Sequence, residues 1–315
     1  MKHALIFLIN LLLCLGLASC FQGNFNTREL VVVSTKQLPT ENPTTLTSPT
    51  ATVPPTPFPT LTPTITPTPS PTVNVPSPTA CTMQNGRVES NQITTKWLNS
   101  PLDFRVYIPP CYDQNIDQRY PVIYLLHGYG YNDDQWDRLG VDEYADKLIA
   151  SGEVSPFIMV MPRERNYNIQ PPDNLFRESL SLDLIPAVDA SYRTKSSSEY
   201  RAIGGLSRGG NWAIHIGLNQ WQLFNRIGAH SAPLFASDSP NLVRNWLDHI
   251  PSNSYPEFYL DIGERDKLLQ QVITFEEILD EFAVPHEIYI FPGGHTEQYW
   301  SSHIELYLRW YTKDW

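Results

Sequence analysis

Residues Gly205-Leu206-Ser207-Arg208-Gly209 lie between a short apolar run, 200–206, and a run with helical spacing, 211–218. This placement restricts the fold more than any other feature of the chain. A serine on a tight turn from a strand into a helix must take a sterically poor backbone conformation, with its Oγ projecting out of the sheet. Only small neighbours let the two backbones approach, and Gly205, Gly209 and Gly210 supply them. The helix start behind the serine aims free N–H groups and a partial positive charge at the same point, which favours negative charge developing on a bound oxygen. The competing reading is a glycine-rich turn around an ordinary serine; the strand and helix on either side argue against it.

A serine hydroxyl is a weak nucleophile until a base takes its proton, and the base needs an acid to fix its tautomer. In this arrangement the partners follow downstream, acid before histidine. Of the eight histidines, His286, His295 and His303 follow an acid that itself follows a strand. His286 opens the apparent strand 286–291 and His303 falls in the amphipathic stretch 301–311, so both read as structural or surface residues. His295 stands in Phe291-Pro292-Gly293-Gly294-His295, just past that strand, where a loop can bring an imidazole over the carboxyl edge of the sheet. For the acid, 257–263 reads as a strand and Glu264-Arg265-Asp266 follows it. Asp266 is the expected acid and Glu264 its closest rival, while Asp261, inside the strand, is expected to pack or cap locally. Serine, acid and base thus all fall at strand ends, where open α/β sheets put their sites.

A second donor for a developing oxyanion is expected in the loop after an earlier strand. The run 120–126 is continuously apolar, as for a strand buried on both faces, and ends in His127-Gly128-Tyr129-Gly130. The backbone N–H of Tyr129, paired with that of Arg208, is the expected donor set. His127 precedes the serine and is expected to hold the loop rather than act as a base.

From residue 83 onward, apolar runs alternate with helical ones. Strands are expected at 86–97, 104–108, 120–126, 157–161, 201–206, 226–229, 257–262 and 286–291, and helices at 141–151, 176–192, 209–218, 239–248, 268–282 and 303–311. This order predicts an α/β fold: a mostly parallel sheet with helices on both faces and an antiparallel N-terminal edge. Too few residues separate 229 from 257 for a large lid, so a shallow, open site is expected. The aromatic loops 129–136 and 166–176, with Trp212, are candidates for the pocket wall, with packing as the alternative for each.

Taken together, several motifs in order resemble the "putative esterase" (esterase D, feruloyl esterase-like) family of α/β-hydrolases. They are Phe104-Arg105-Val106-Tyr107-Ile108-Pro109-Pro110, Tyr120-Pro121-Val122-Ile123-Tyr124-Leu125-Leu126-His127-Gly128, Pro156-Phe157-Ile158-Met159-Val160-Met161-Pro162, Leu184-Ile185-Pro186, the serine turn and the Gly-Gly-His loop. The resemblance implies an α/β-hydrolase fold with Ser207 as nucleophile, Asp266 as acid and His295 as base. It also implies hydrolysis of small or carbohydrate-linked esters, feruloyl or acetyl, through an acyl-enzyme and without a cofactor or metal. Arg208 departs from it, because the family often has methionine after the serine. The same triad fits an acyltransferase of the mycolyltransferase type, and the fold alone fits a catalytically inactive surface-binding protein.

The first residues bear on location. Lys2 and His3 precede an apolar run, 4–18, short for a membrane span and suited to a signal peptide. Leu17-Ala18-Ser19-Cys20 looks like a bacterial lipobox, which implies cleavage before Cys20 and a lipid on it. Residues 39–80 hold thirteen prolines and fourteen threonines with one charge, Glu41. Such a segment forms no core and favours extended polyproline II, a spacer on the order of 100 Å. The expected organisation is a signal peptide at 1–19, a lipidated cysteine and linker at 20–80 and an esterase domain at 81–315, held outside the bacterial membrane by its lipid. With Cys14 removed and Cys20 lipidated, Cys81 and Cys111 are left to pair in an oxidising compartment; they are too few for a zinc site. Loss of 1–19 leaves 21 basic and 33 acidic residues, a charge of −12. That charge excludes nucleic acid as a partner and leaves the lipid as the membrane link. No oligomer interface is legible.

Overall fold

The computed structural model describes residues 83–315. The expected signal peptide, Cys20, the linker and Cys81 lie outside the described residues. Cys111, the other expected half of the bridge, is buried and disulfide-bonded. Among the described residues no helix is long and apolar enough to cross a membrane.

In chain order the elements are β1 (Arg87–Ile93), β2 (Leu102–Ile108), β3 (Val122–Leu126), α1 (Gln135–Arg138), α2 (Val141–Ala150), β4 (Ile158–Pro162), α3 (Phe176–Glu178), α4 (Ile185–Ser191), β5 (Arg201–Leu206), α5 (Arg208–Asn219), β6 (Arg226–His230), α6 (Pro240–Asp248), β7 (Glu257–Gly263), α7 (Leu269–Glu281), β8 (His286–Phe291), α8 (Glu297–Ser301) and α9 (Ile304–Tyr311). The strands form one sheet in the order β1-β2-β4-β3-β5-β6-β7-β8. The pairs β1–β2 and β2–β4 are antiparallel and every later pair is parallel. The expected α/β-hydrolase architecture, with its antiparallel N-terminal edge, is therefore the observed one.

Successive side chains on a strand face opposite ways, so a strand covered on both faces must be apolar throughout. In β3 and β4, Val122, Tyr124, Leu126, Ile158 and Val160 join one core, while Ile123, Leu125, Met159 and Met161 join the other. The first core is closed by Ile185 and Val188 of α4, Ile216 of α5, Leu247 of α6 and Phe275 of α7. The second is closed by Val141 and Leu148 of α2, Trp300 of α8 and Tyr307 of α9. Each fully buried aliphatic chain contributes about 1.5–3 kcal/mol.

Three details depart from the expected elements. The first strand stops at Ile93 rather than running to 97. The helix expected over 176–192 is interrupted, because Ser179–Leu184 between α3 and α4 are π-helical. Pro186 explains the widening: it has no N–H to give to the carbonyl four residues back, and its ring presses on that turn. The third is the pair of short helices α1 and α8, neither of which the sequence reading anticipated; Thr296 caps α8 by accepting from the N–H of Tyr299 at 3.2 Å.

Candidate active site

Ser207 is the single residue between β5 and α5, with φ 53° and ψ −122°. A side chain is strained there, and the turn persists because its surroundings fix it. The Ser207 N–H donates to the carbonyl of His230 at 2.8 Å, and the Ser207 carbonyl accepts the first helical bond, from Asn211 N–H, at 3.0 Å. Gly205 cannot be replaced without moving the turn, since a Cβ there would stand 2.3 Å from the carbonyl carbon of Gly209.

The loop after β7 is folded by two bonds that use Asp266. Its N–H donates to Gly263 O at 2.9 Å, and its Oδ1 accepts from Leu268 N–H at 2.9 Å. Oδ2 is then free to meet His295 Nδ1 at 2.7 Å, with the Asp266 side chain fully buried. The loop after β8 is tied to the same place, Glu264 N–H to Phe291 O at 2.8 Å and Arg265 N–H to Gly293 O at 2.9 Å. His295 Nε2 lies 2.9 Å from Ser207 Oγ. An ionised Asp266 only accepts, so Nδ1 carries the hydrogen and Nε2 presents its lone pair to the serine hydroxyl. Trp300 of α8 stands edge-on to the imidazole at 4.9 Å and is itself held by donating from Nε1 to Ser231 Oγ at 3.1 Å.

The structure thus brings Ser207, Asp266 and His295 together, and not the rivals. The Glu264 carboxylate faces solvent beside Arg265. Asp261 is fully buried and accepts from Tyr299 at 2.7 Å and Tyr307 at 2.8 Å, with His230 Nδ1 at 2.6 Å. His286 lies at the far end of β8, and His303 stacks on Phe291 at 4.4 Å.

Tyr129 is the second residue of the turn 128–131, closed by Tyr131 N–H to Gly128 O at 3.2 Å. Gly130, with φ 79°, takes the third position, which a side chain would resist. Two buried residues hold this loop. Gln135 accepts from Gly128 N–H at 2.8 Å, and His127 Nε2 accepts from Glu164 N–H at 2.9 Å while its Nδ1 faces Gly128 O. Burial depresses the His127 pKa, so the ring stays neutral and keeps that acceptor. Among the described residues, neither Tyr129 N–H nor Arg208 N–H donates to any group, and Arg208 opens α5.

The Arg208 side chain supplies what the sequence reading missed. Its Nε donates to Glu164 at 2.8 Å and its Nη2 to the carbonyl of Ile169 at 2.7 Å, with Asn174 donating to the other Glu164 oxygen at 2.9 Å. This buried set pins the loop after β4 beside the serine. The loop also meets Tyr129, whose hydroxyl donates to Asn168 at 3.0 Å, and Tyr131, whose carbonyl accepts from Tyr167. Trp212 is no wall of the site: it is buried in the core against Phe176 and Phe235. The site is open, with the His295 side chain 28% exposed and Tyr129 58% exposed.

Residues 95–311 match the family described as "Putative esterase". The chain is 34% identical over 133 residues to an endo-1,4-beta-xylanase/feruloyl esterase of Xylanibacter ruminicola, covering 39% of this chain and 18% of that protein. It is 28% identical over 228 residues to an esterase of Mycobacterium tuberculosis, covering 56% of this chain and 48% of that one. The chain therefore spans about half or less of these relatives. A solved ferulic acid esterase superposes with a TM-score of 0.66 at 27% identity, over 73% of this chain and 99% of that one.

Proposed function

The chain belongs to the "Putative esterase" family, and from that premise we propose that it is an exported serine carboxylesterase acting on small or carbohydrate-linked esters of the feruloyl or acetyl type. The observation that carries the reading is the unbroken chain of hydrogen bonds from Asp266 through His295 to Ser207. The relatives named as feruloyl esterases support the substrate class, as does the openness of the site at His295 and Tyr129.

In the reaction, His295 Nε2 takes the Ser207 proton as Oγ attacks the ester carbonyl carbon. The carbonyl π electrons move to oxygen, where the N–H groups of Tyr129 and Arg208 and the start of α5 stabilise the charge. Collapse breaks the bond to the alcohol, which leaves with the proton from His295. Water then repeats the sequence on the acyl-enzyme, giving the acid and restoring Ser207. Asp266, held 2.7 Å from Nδ1, fixes the imidazole tautomer and balances the ring's charge when Nε2 takes the proton.

The domain at 81–315 works outside the cytoplasm, with 1–19 removed, lipid on Cys20 as the membrane link and 20–80 as the spacer. A Cys81–Cys111 bridge closes the start of the domain, consistent with export. The test is a panel of p-nitrophenyl, feruloyl and acetyl-xylan esters on the full chain and Ser207→Ala, with products separated in the presence of sugar acceptors. Free acid as the dominant product supports the esterase. Acyl transfer to the sugar as the dominant product would replace it with an acyltransferase, and no turnover of any ester would leave a surface-binding protein.

A further inference from the structure

We propose that Glu276, Asp280 and His286 form a site for a divalent metal ion of the zinc class, which clamps α7 to the edge strand β8 at the end of the sheet remote from Ser207. Glu276 and Asp280 are one turn apart on α7, so their side chains share a face. His286 opens β8 immediately beyond the helix. Its Nδ1 lies 2.9 Å from the carbonyl of Val284. A carbonyl can only accept, so Nδ1 carries a hydrogen, and Nε2 is turned toward the two carboxylates. One ligand atom from each residue lies within 4.8 Å of the others.

The spacing is longer than that of the molecule's other histidine–carboxylate bonds and leaves room for an ion between the groups. Elsewhere among the described residues each His–Asp pair joined through Nδ1 closes to ordinary hydrogen-bond length: 2.7 Å for His295–Asp266, 2.6 Å for His230–Asp261 and 2.9 Å for His215–Asp238. His286 Nε2 instead stands 3.5 Å from Glu276 Oε1 and 4.0 Å from Asp280 Oδ1, although its side chain is only 4% exposed. Ligands at about 2.0–2.2 Å from a tetrahedral zinc ion are about 3.4 Å apart. Glu276 already has that spacing, and the half-exposed Asp280 carboxylate reaches it by a small rotation. Among the described residues neither carboxylate has a lysine or arginine partner, so the pair is left facing one imidazole. The carbonyl of Val284 supplies the support behind a ligating histidine that orients the ring and raises its basicity. An imidazole with two carboxylates suits zinc better than calcium or magnesium, and leaves the fourth position to water.

His286 begins β8 and His295 lies beyond its end, so the strand separates the two sites by roughly 20 Å. The ion therefore acts on stability and not on ester cleavage. It closes α7 onto the strand that ends the sheet, where hydrogen-bond partners exist on one side only.

The full chain, stripped with a chelator, is titrated with zinc by calorimetry and melted with and without it; cobalt substitution reads the ligand field by visible absorption. One zinc per chain is expected, with Tm raised by at least about 5 °C at a hundredfold excess over Kd. His286→Gln and, independently, Glu276→Gln with Asp280→Asn should abolish both effects. The second variant changes only helix carboxylates and keeps the test valid should the first not fold. His295→Gln should retain them. No zinc-dependent rise in Tm, or a rise that survives in Glu276→Gln with Asp280→Asn, would overturn the proposal in favour of a protonated histidine between two carboxylates.

Discussion

The guanidinium of Arg208 lies 2.8 Å, Nε to Oε2, from the carboxylate of Glu164, and both side chains are buried. The residue after the serine thus leaves its N–H unpaired, among the described residues, at the start of α5 and gives its side chain to the loop after β4. The two roles separate by mutation. Arg208→Met keeps the backbone donor and leaves Glu164 unpaired, which should destabilise the protein by roughly 3–5 kcal/mol. It should raise KM more than it lowers kcat, because the loop is loosened while the donor stays. Adding Glu164→Gln should recover much of the stability and little of the KM. Urea unfolding and steady-state kinetics on the three variants check this.

Asp261 sits behind the site at the centre of a buried polar network. Tyr299 and Tyr307 donate to one oxygen and His230 meets the other. Burial, with the Asp261 charge next, pushes the Tyr299 hydroxyl pKa far up, so it stays a donor at every working pH. Tyr299→Phe should cost about 1–3 kcal/mol by denaturant unfolding. It should also lower kcat several-fold, since Tyr299 anchors α8 and α8 carries the Trp300 that flanks His295.

Asp142, in the first turn of α2, has a carboxyl pushed up to about 7, first by burial and then by the hydrogen bond its protonated form gives to Glu143 and by the like charge of Glu143. A carboxyl whose folded pKa is raised binds more protons folded than unfolded between about 4 and 7. Its contribution is present below the unfolded value and is lost as pH rises through about 7. Asp142→Asn should therefore stabilise the protein relative to wild type at pH 8 and lose that advantage near pH 4. The group is about half exposed, so screening limits the gain to no more than about 1 kcal/mol. Melting curves across that range measure it.

The parallel sheet was legible because each central strand is a short apolar run ended by glycine, proline or a polar loop. The triad was legible for a related reason: Gly205, Gly209, Gly293 and Gly294 mark turns at strand ends, where a side chain is displayed rather than packed. What escaped depends on contacts between distant residues. Glu164 is an acidic residue in a loop 44 positions before Arg208, and nothing local marks it as a partner. The one clue was the arginine itself, a side chain that needs an acid when buried. Likewise Asp261 reads as a single polar residue in an apolar strand until the fold brings His230, Tyr299 and Tyr307 around it. The five residues of α8 are too few to show helical periodicity, and the π-helical turns before Pro186 carry the same apolar spacing as an α-helix.

Modification of the serine reads the central claim most directly. A fluorophosphonate probe should add one adduct to the full chain, mapped by peptide mass spectrometry to Ser207. Ser207→Ala should carry none, and His295→Gln should label at least about a hundredfold more slowly, since general-base assistance is worth that much or more. Equal labelling of the wild type and Ser207→Ala, or an adduct on another residue, would contradict the account.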